Sequence, residues 1–504
     1  MPTYKFYLIN NSVVASNAEG VNLGTAPSGN HLLHVRPAPM HALNQIVLDA
    51  DYSSTVFDYF SHWDKETLID LIVNDSQEHE VILLFSFTLN NKAHNREIIF
   101  NFISDFKRKK QNVYTVGGGI KPHEVTGGNY NFLDVVYTGR SMNLFAQDVR
   151  EGTLFDKIHQ LNKPVTIVPS TEQYDLPLVH HYHADSCWNE NDIGSFEIAM
   201  GCKFDCSFCS YDLRGIKNPK VQQIDALVNY FSQAKEHGVT HFFAGDDTIN
   251  EDDVKLENLR EAIRQLDYTP HIAAFARHDM MHNKPHRIEL IRDAGIRSMF
   301  FGIESMNYDA NKLIRKGASA EKIASTLKQI KDINPDAFLF GAFIVGLTND
   351  SESAIWQNNE IAAQHLDGLY YSALYIQKNN PDWDWTSDID KNPEKFGYTV
   401  TERGPGSQYV TWSNHWTSES AASRLCVRLN EHNEQTYGMH KLMSNWLFTS
   451  AHALGKTSGP DAWKNDFMMH YGVRRVHLFK NNTPNDVAMK NYINRKIALY
   501  HGTD

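Results

Sequence analysis

Short apolar runs alternate with amphipathic stretches from Phe196 to Ile376, and no other feature restricts the fold of this chain as tightly. Phe196–Met200, His241–Ala244, His271–Arg277, Ser298–Glu304, Ala337–Leu347 and Gly368–Ile376 read as buried strands. Between them, Ile224–His237 (with Leu227, Val228 and Phe231 inward), Val254–Leu266, Arg287–Ala294, Ala320–Ile333 and Ser351–His365 carry a helical period. Gly295 stops the third of these helices, and a shorter one is expected around Ala310–Arg315. About six strand–helix steps within roughly 180 residues predict a partial (β/α)6 TIM-like barrel, with its chemistry at the C-terminal ends of the strands.

The first part of the chain alternates less regularly. Ile46–Asp49, Val81–Phe87, Val113–Val116, Leu133–Tyr137 and Val165–Val168 read as strands, and Arg96–Lys109 as a helix with Ile98, Ile99, Phe102 and Phe106 inward. The expected α/β architecture is therefore a Rossmann-like parallel-sheet domain over residues 1–171, a connector with Pro177 and several histidines over 172–191, the barrel over 192–378, and a mostly helical region over 379–504. That last region holds Trp383, Trp385, Tyr409, Trp412, Trp416 and Trp446, with helices expected at Ser418–Asn433 and Gly438–Leu454. It is expected to cover the open side of the barrel.

Of 504 residues 41% are hydrophobic and 21% charged, which suits a globular protein with real cores. A net charge of −12 argues against a nucleic-acid partner, because phosphate binding leaves a basic footprint. No run approaches the ~20 apolar residues of a membrane helix, and Met1–Asn10 has no small-residue cleavage site behind it. A cytoplasmic location is the expectation, and five cysteines, an odd number in so long a chain, do not make a disulfide scaffold.

Three of those cysteines, Cys202, Cys206 and Cys209, form a Cys-x3-Cys-x2-Cys run directly after a strand. Thiolates suit iron–sulfur clusters, and a cubane has four irons, so three cysteines leave one iron open to a chelating guest. A zinc site is the alternative, with His180, His181, His183 or Cys187 as fourth ligand. Cys187 and Cys426 otherwise read as small buried hydrophobes, and the histidines as a polar linker.

These residues resemble the radical S-adenosylmethionine (SAM) superfamily, whose signature is this spacing after the first barrel strand. The resemblance spans Phe196 to Ile376. Phe243-Ala244-Gly245-Asp246-Asp247-Thr248 is similar to the acidic turn after the second strand, near the methionine amino group; a turn and helix N-cap before Val254 is the other reading. Phe301-Gly302-Ile303-Glu304-Ser305 resembles the end of the fourth strand on the ribose side. A buried Glu304 needs a partner, either a ligand or a structural Arg such as Arg277. Gly341–Leu347, with Gly346, resembles the glycine-bearing fifth strand behind the adenine, although Thr348-Asn349-Asp350 departs from the usual Pro-Gly-Glu. The implied cofactor contacts are Phe208, Asp246, Asp247, Arg277, Gly302, Glu304 and Gly346, with Cys202, Cys206 and Cys209 as catalytic metal ligands.

The N-terminal stretch resembles, more faintly, the cobalamin-binding domain of one large subclass. Ser86, Thr88, Gly117 and Gly118 sit where that domain has its cofactor contacts, and Asp134–Gly139 resembles its later strand. The Asp-x-His-x-x-Gly motif is missing, so both a bound cobalamin and a degenerate domain remain open. The resemblance implies a 4Fe–4S cluster, SAM and, in this subclass, cobalamin; C-methylation of an unactivated carbon is the expected reaction. Cobalamin-independent oxidation, cyclisation or carbon–sulfur bond formation is a second reading, and an electron carrier a third. Implied partners are a small-molecule or peptide substrate and a flavodoxin- or ferredoxin-like one-electron reductant, with neither nucleic acid nor membrane.

Overall fold

Phe6 and Leu8 alternate with Tyr7 and Ile9, and all four are fully buried, because their strand lies inside a sheet with an apolar core on each face. This is a computed structural model, and it describes residues 3–10, 36, 38–60, 63–87, 93–120, 122–125, 128–161, 163–168, 179–188, 192–211, 213–379, 386–404, 409–437 and 484–502. The first sheet contains β1 (Tyr4–Ile9), β2 (Ser53–Phe57), β3 (Glu80–Ser86), β4 (Val113–Ile120), β5 (Val135–Thr138) and β6 (Val165–Ile167). Its order is β2-β1-β3-β4-β5-β6, parallel throughout, so the strand order reverses between β1 and β3.

Two expectations for this part need correction. Ile46–Asp49 is not a strand but the last turn of the helix Ala38–Asp49, whose buried face includes Met40, Ile46 and Val47. An apolar run of four residues is too short to reveal its period. In the helix Ala93–Lys109, Ile99, Phe102, Ile103 and Phe106 are buried, whereas Ile98 is 42% exposed. The inward stripe begins one residue later than the sequence suggested.

The second sheet is β7 (Ile193–Phe196), β8 (His241–Ala244), β9 (His271–Ala276), β10 (Ile296–Glu304), β11 (Phe338–Val345) and β12 (Gly368–Ala373), all parallel and in sequential order, with helices between. This is the expected open (β/α)6 arrangement. The first strand is shifted: residues 197–200 leave the sheet, because the Ile198 and Ala199 N–H groups bond to the Asp246 carboxylate (2.7 and 3.0 Å) instead of a neighbouring strand.

Both edges of the open barrel are covered. Beside β7, the Arg36 N–H reaches the Ile193 carbonyl at 3.3 Å and the Ala38 N–H reaches Ser195 Oγ at 2.9 Å. Beside β12, the helix Glu419–Tyr437 presents Asn430, whose amide bonds both the N–H and the carbonyl of Tyr371 (2.9 and 3.0 Å). A hairpin of β13 (Thr399–Glu402) and β14 (Val410–Ser413) closes on the strand ends, where Trp412 Nε1 donates to the Leu374 carbonyl at 2.8 Å.

The helix Pro484–His501 packs on the first sheet rather than on the barrel, with Tyr492 in that sheet's core. Arg36, fully buried, lies between the rings of Trp188 (4.2 Å) and Tyr492 (4.6 Å) and pairs with Asp192 at 2.7 Å. No described helix is long and apolar enough to cross a membrane. Thr88, Pro177, Trp383, Trp385, Trp446 and the stretch Gly438–Leu454 lie outside the described residues.

Candidate active site

The three cysteines lie on a loop that leaves the end of β7 and folds back on itself. The Cys202 N–H bonds to the Leu213 carbonyl (2.9 Å), the Ile216 N–H to the Cys202 carbonyl (3.0 Å) and the Gly215 N–H to the Phe204 carbonyl (3.0 Å). Each sulfur has a polar neighbour of its own. Thr248 Oγ1 is 3.6 Å from Cys202 Sγ, Arg277 Nη1 donates to Cys206 Sγ at 3.3 Å, and the Tyr211 N–H donates to Cys209 Sγ at 3.4 Å. Burial raises the thiols of Cys202 and Cys209, the latter to about 11, with Cys206 and Cys202 adding like charge at Cys209. Mutual repulsion of this kind is relieved by a cation, so the donor set fits a soft metal centre. Among the described residues no three His, Cys, Asp or Glu side chains gather closely enough to share one metal ion. A cubane asks for less, since each thiolate takes a different iron.

Asp246 lies in the turn after β8, behind the loop. It is buried and bonded to Ile198, Ala199 and the Lys255 ammonium (2.7 Å), and Lys255 also meets Glu251 at 3.0 Å. Glu251 in turn holds the Lys203 N–H at 2.8 Å, so a buried ion network braces the cysteine loop. The N-cap of the helix Asp253–Arg264 is Asp252, not Asp246 or Asp247. Asp247 is exposed as a residue, yet burial around its carboxyl, with Asp246 adding like charge, raises that group to about 6, against a lowering hydrogen bond from Tyr211. Sequence reasoning missed Glu197, Glu251 and Lys255. Burial, reinforced by Asp246, raises Glu197 to about 7. Its position one residue past β7, on the end of the barrel where chemistry sits, was the available signal.

Glu304 is paired, but with Lys316 (2.8 Å), not with Arg277. Arg277 is taken by Asp279 (2.7 Å) and Cys206. Glu304 has φ +64°, an uncommon backbone state for a non-glycine residue. A Cβ on Gly302 would come within 2.4 Å of the Glu304 carboxylate, so this glycine makes room for the ion pair. Gly346 has φ +113°, and a Cβ there would lie 2.3 Å from Trp412. The hairpin thus occupies the space beside it. Phe208 packs against Ala310, Ile314 and Leu347.

A residue beyond the end of β5 reaches the cysteine loop. Arg140, two residues past β5, lies over the Tyr211 ring of the cysteine loop at 5.3 Å and lowers both Glu197 and Asp247 electrostatically. On β4, Gly117 is packed against Leu133 and Phe87, whereas a Cβ on Gly118 would meet nothing within 4 Å. Ser86 ends β3 beside it, in register with Gly118.

Residues 196–358 match the family model of the radical SAM superfamily. Among curated proteins the chain is similar to an uncharacterized methyltransferase of Pyrococcus horikoshii (24% identity over 36% of this chain and 38% of that protein). It is also similar to the hopanoid C-2 methylase of Rhodopseudomonas palustris (22%, 51% and 48%). The chain thus spans less than half the length of either relative. Among solved structures, the radical SAM methyltransferase TsrM of Kitasatospora setae, bound to tryptophan and a SAM analogue, shares the fold at TM-score 0.63 and 14% identity, over 92% of this chain and 98% of that one. Another structure of that protein, with cobalamin and a [4Fe-4S] cluster bound, gives TM-score 0.62 at 12% identity over 98% and 100%. By the family match and the barrel that carries it, residues 196–358 of this chain form a radical SAM domain.

Proposed function

We propose that Cys202, Cys206 and Cys209 hold a 4Fe–4S cluster whose fourth iron binds SAM, and that the enzyme methylates an unactivated carbon with the help of cobalamin. The carrying observation is the separate polar neighbour at each of three sulfurs on one braced loop. Hydrogen bonds of this kind favour the thiolate over the thiol and fix its direction. A bound cluster would pass on one electron from the external reductant, splitting a C–S bond of SAM into methionine and a 5′-deoxyadenosyl radical able to take hydrogen from carbon.

This chain's own residues bind and orient. Asp247, open to solvent and next to the loop, is placed to receive an ammonium group. The Glu304–Lys316 pair at the end of β10 offers polar atoms for a ribose. Gly118, where an added Cβ would meet nothing within 4 Å, and Ser86 in register beside it would hold a cobalamin; when bound, it would supply the methyl group. The packing of Gly117 by Leu133 favours a second reading, radical chemistry without methyl transfer, in which the first domain is a scaffold.

Anaerobic purification with cobalamin supplied, followed by iron, sulfide and cobalt analysis and assay of 5′-deoxyadenosine under strong reductant, tests the proposal. Near-stoichiometric cobalt with SAM cleavage supports it. Cleavage without cobalt supports the second reading. Absence of both iron and cleavage overturns both.

A further inference from the structure

Arg277, at the end of β9, is buried and held on every side. Its Nε and Nη2 donate to the two oxygens of Asp279 at 3.0 and 2.7 Å, Nη1 donates to Cys206 Sγ at 3.3 Å, and the cation lies 3.8 Å from the centre of the Phe204 ring. The side chain of Asn250 fixes the backbone as well, accepting from the Arg277 N–H (2.9 Å) and donating to its carbonyl (2.8 Å). Phe204 and Cys206 belong to the same loop. One guanidinium therefore stacks on that loop, bonds its middle sulfur, and cannot swing away.

We propose that Arg277 is a positioning residue that raises the reduction potential of the cluster through Cys206, and that Asp279 limits the rise. The inference rests on the cluster proposed above. Reduction by one electron from an external one-electron donor adds negative charge that spreads onto the cysteine sulfurs. A cation hydrogen-bonded to one of those sulfurs lowers the free energy of the reduced state more than that of the oxidised state. Burial strengthens the effect, because little water is present to screen it. The Asp279 carboxylate opposes it by neutralising part of the same charge.

The opposite signs provide the test. Wild-type, R277Q and D279N proteins are reconstituted anaerobically to matched iron and sulfide content, then titrated with a chemical reductant while the reduced cluster is followed by EPR. At a poise near the wild-type midpoint, R277Q is expected to show a reduced-to-oxidised ratio about tenfold lower, a fall of about 59 mV for a one-electron couple. D279N keeps the cation and loses its opposing charge, so its midpoint is expected to rise. Shifts of the same sign, or no shift, would overturn the inference and leave Arg277 a packing group. If R277Q retains too little iron to titrate, D279N decides alone: a rise supports the inference, and no rise or a fall overturns it. A wild-type cluster with unmoved variant potentials overturns this inference only, whereas a wild-type protein that assembles no cluster overturns the proposed function itself.

Discussion

Asp246 and Lys255 meet at 2.7 Å with neither side chain exposed, although they lie in different elements of the barrel, one in the turn after β8 and the other on the helix that follows. The pair sits directly behind the cysteine loop. Removing one member leaves a buried charge without its partner, which costs about 3–5 kcal/mol. K255M is therefore expected to lower the urea midpoint of the metal-free protein sharply, since it strands both Asp246 and Glu251. An unchanged midpoint would mean that the network does not brace the loop.

Replacing Cys202, Cys206 or Cys209 by Ala is expected to reduce bound iron at least about tenfold and to abolish 5′-deoxyadenosine formation. C187A is expected to leave iron binding unaltered, because Cys187 lies beside Arg36 and the last helix instead of on the cysteine loop. Iron analysis of the reconstituted variants checks both statements.

Gly346→Ala places a methyl group 2.3 Å from Trp412 in a backbone state that L-residues avoid. Overpacking and strain together are expected to cost about 2–5 kcal/mol. In a W412L background the clash disappears while the strain remains, so the two changes should couple by at least about 1 kcal/mol in a double-mutant cycle. Additive losses in urea denaturation would contradict the contact.

Glu197 titrates near 7 in the folded chain, above its ordinary value of 4.5. Between those values the folded state binds more protons than the unfolded state, so stability falls as pH rises from about 4.5 to 7. E197Q removes that dependence. Its urea midpoint is expected to exceed wild type at pH 7.5 by an amount worth about 1–2 kcal/mol, after allowance for solvent screening, and to approach wild type at pH 5. Equal midpoints at both pH values would show that Glu197 is not held in its neutral form.

Tyr492 accepts the Asp58 N–H at 3.0 Å and lies against the buried Arg36. Y492F keeps the ring and leaves that buried N–H without its acceptor, an expected loss of about 1–3 kcal/mol. Faster proteolysis within the helix Pro484–His501 would accompany it, and an unaltered urea midpoint would argue against tight docking of this helix.

Much of the barrel was legible because strand and helix periods are local properties. His241–Ala244 and Ala320–Ile333 match the observed elements residue for residue. Ile46–Asp49 failed because four apolar residues fit either period. Tyr4–Ile9 escaped notice because an interior strand buries both faces and shows no alternation of polarity.

By itself the sequence determined the barrel class and the three thiols, since a spacing of three and two residues is written in one short segment. Only the tertiary structure decided which charges meet. Arg277 reaches Cys206 across 71 positions and Asp246 reaches Ile198 across 48, while Glu304 takes Lys316 and leaves Arg277 to Asp279. A carboxylate read in sequence carries its charge but not its neighbours. Long-range pairing follows from how helices and strand ends pack, and no local period encodes that packing.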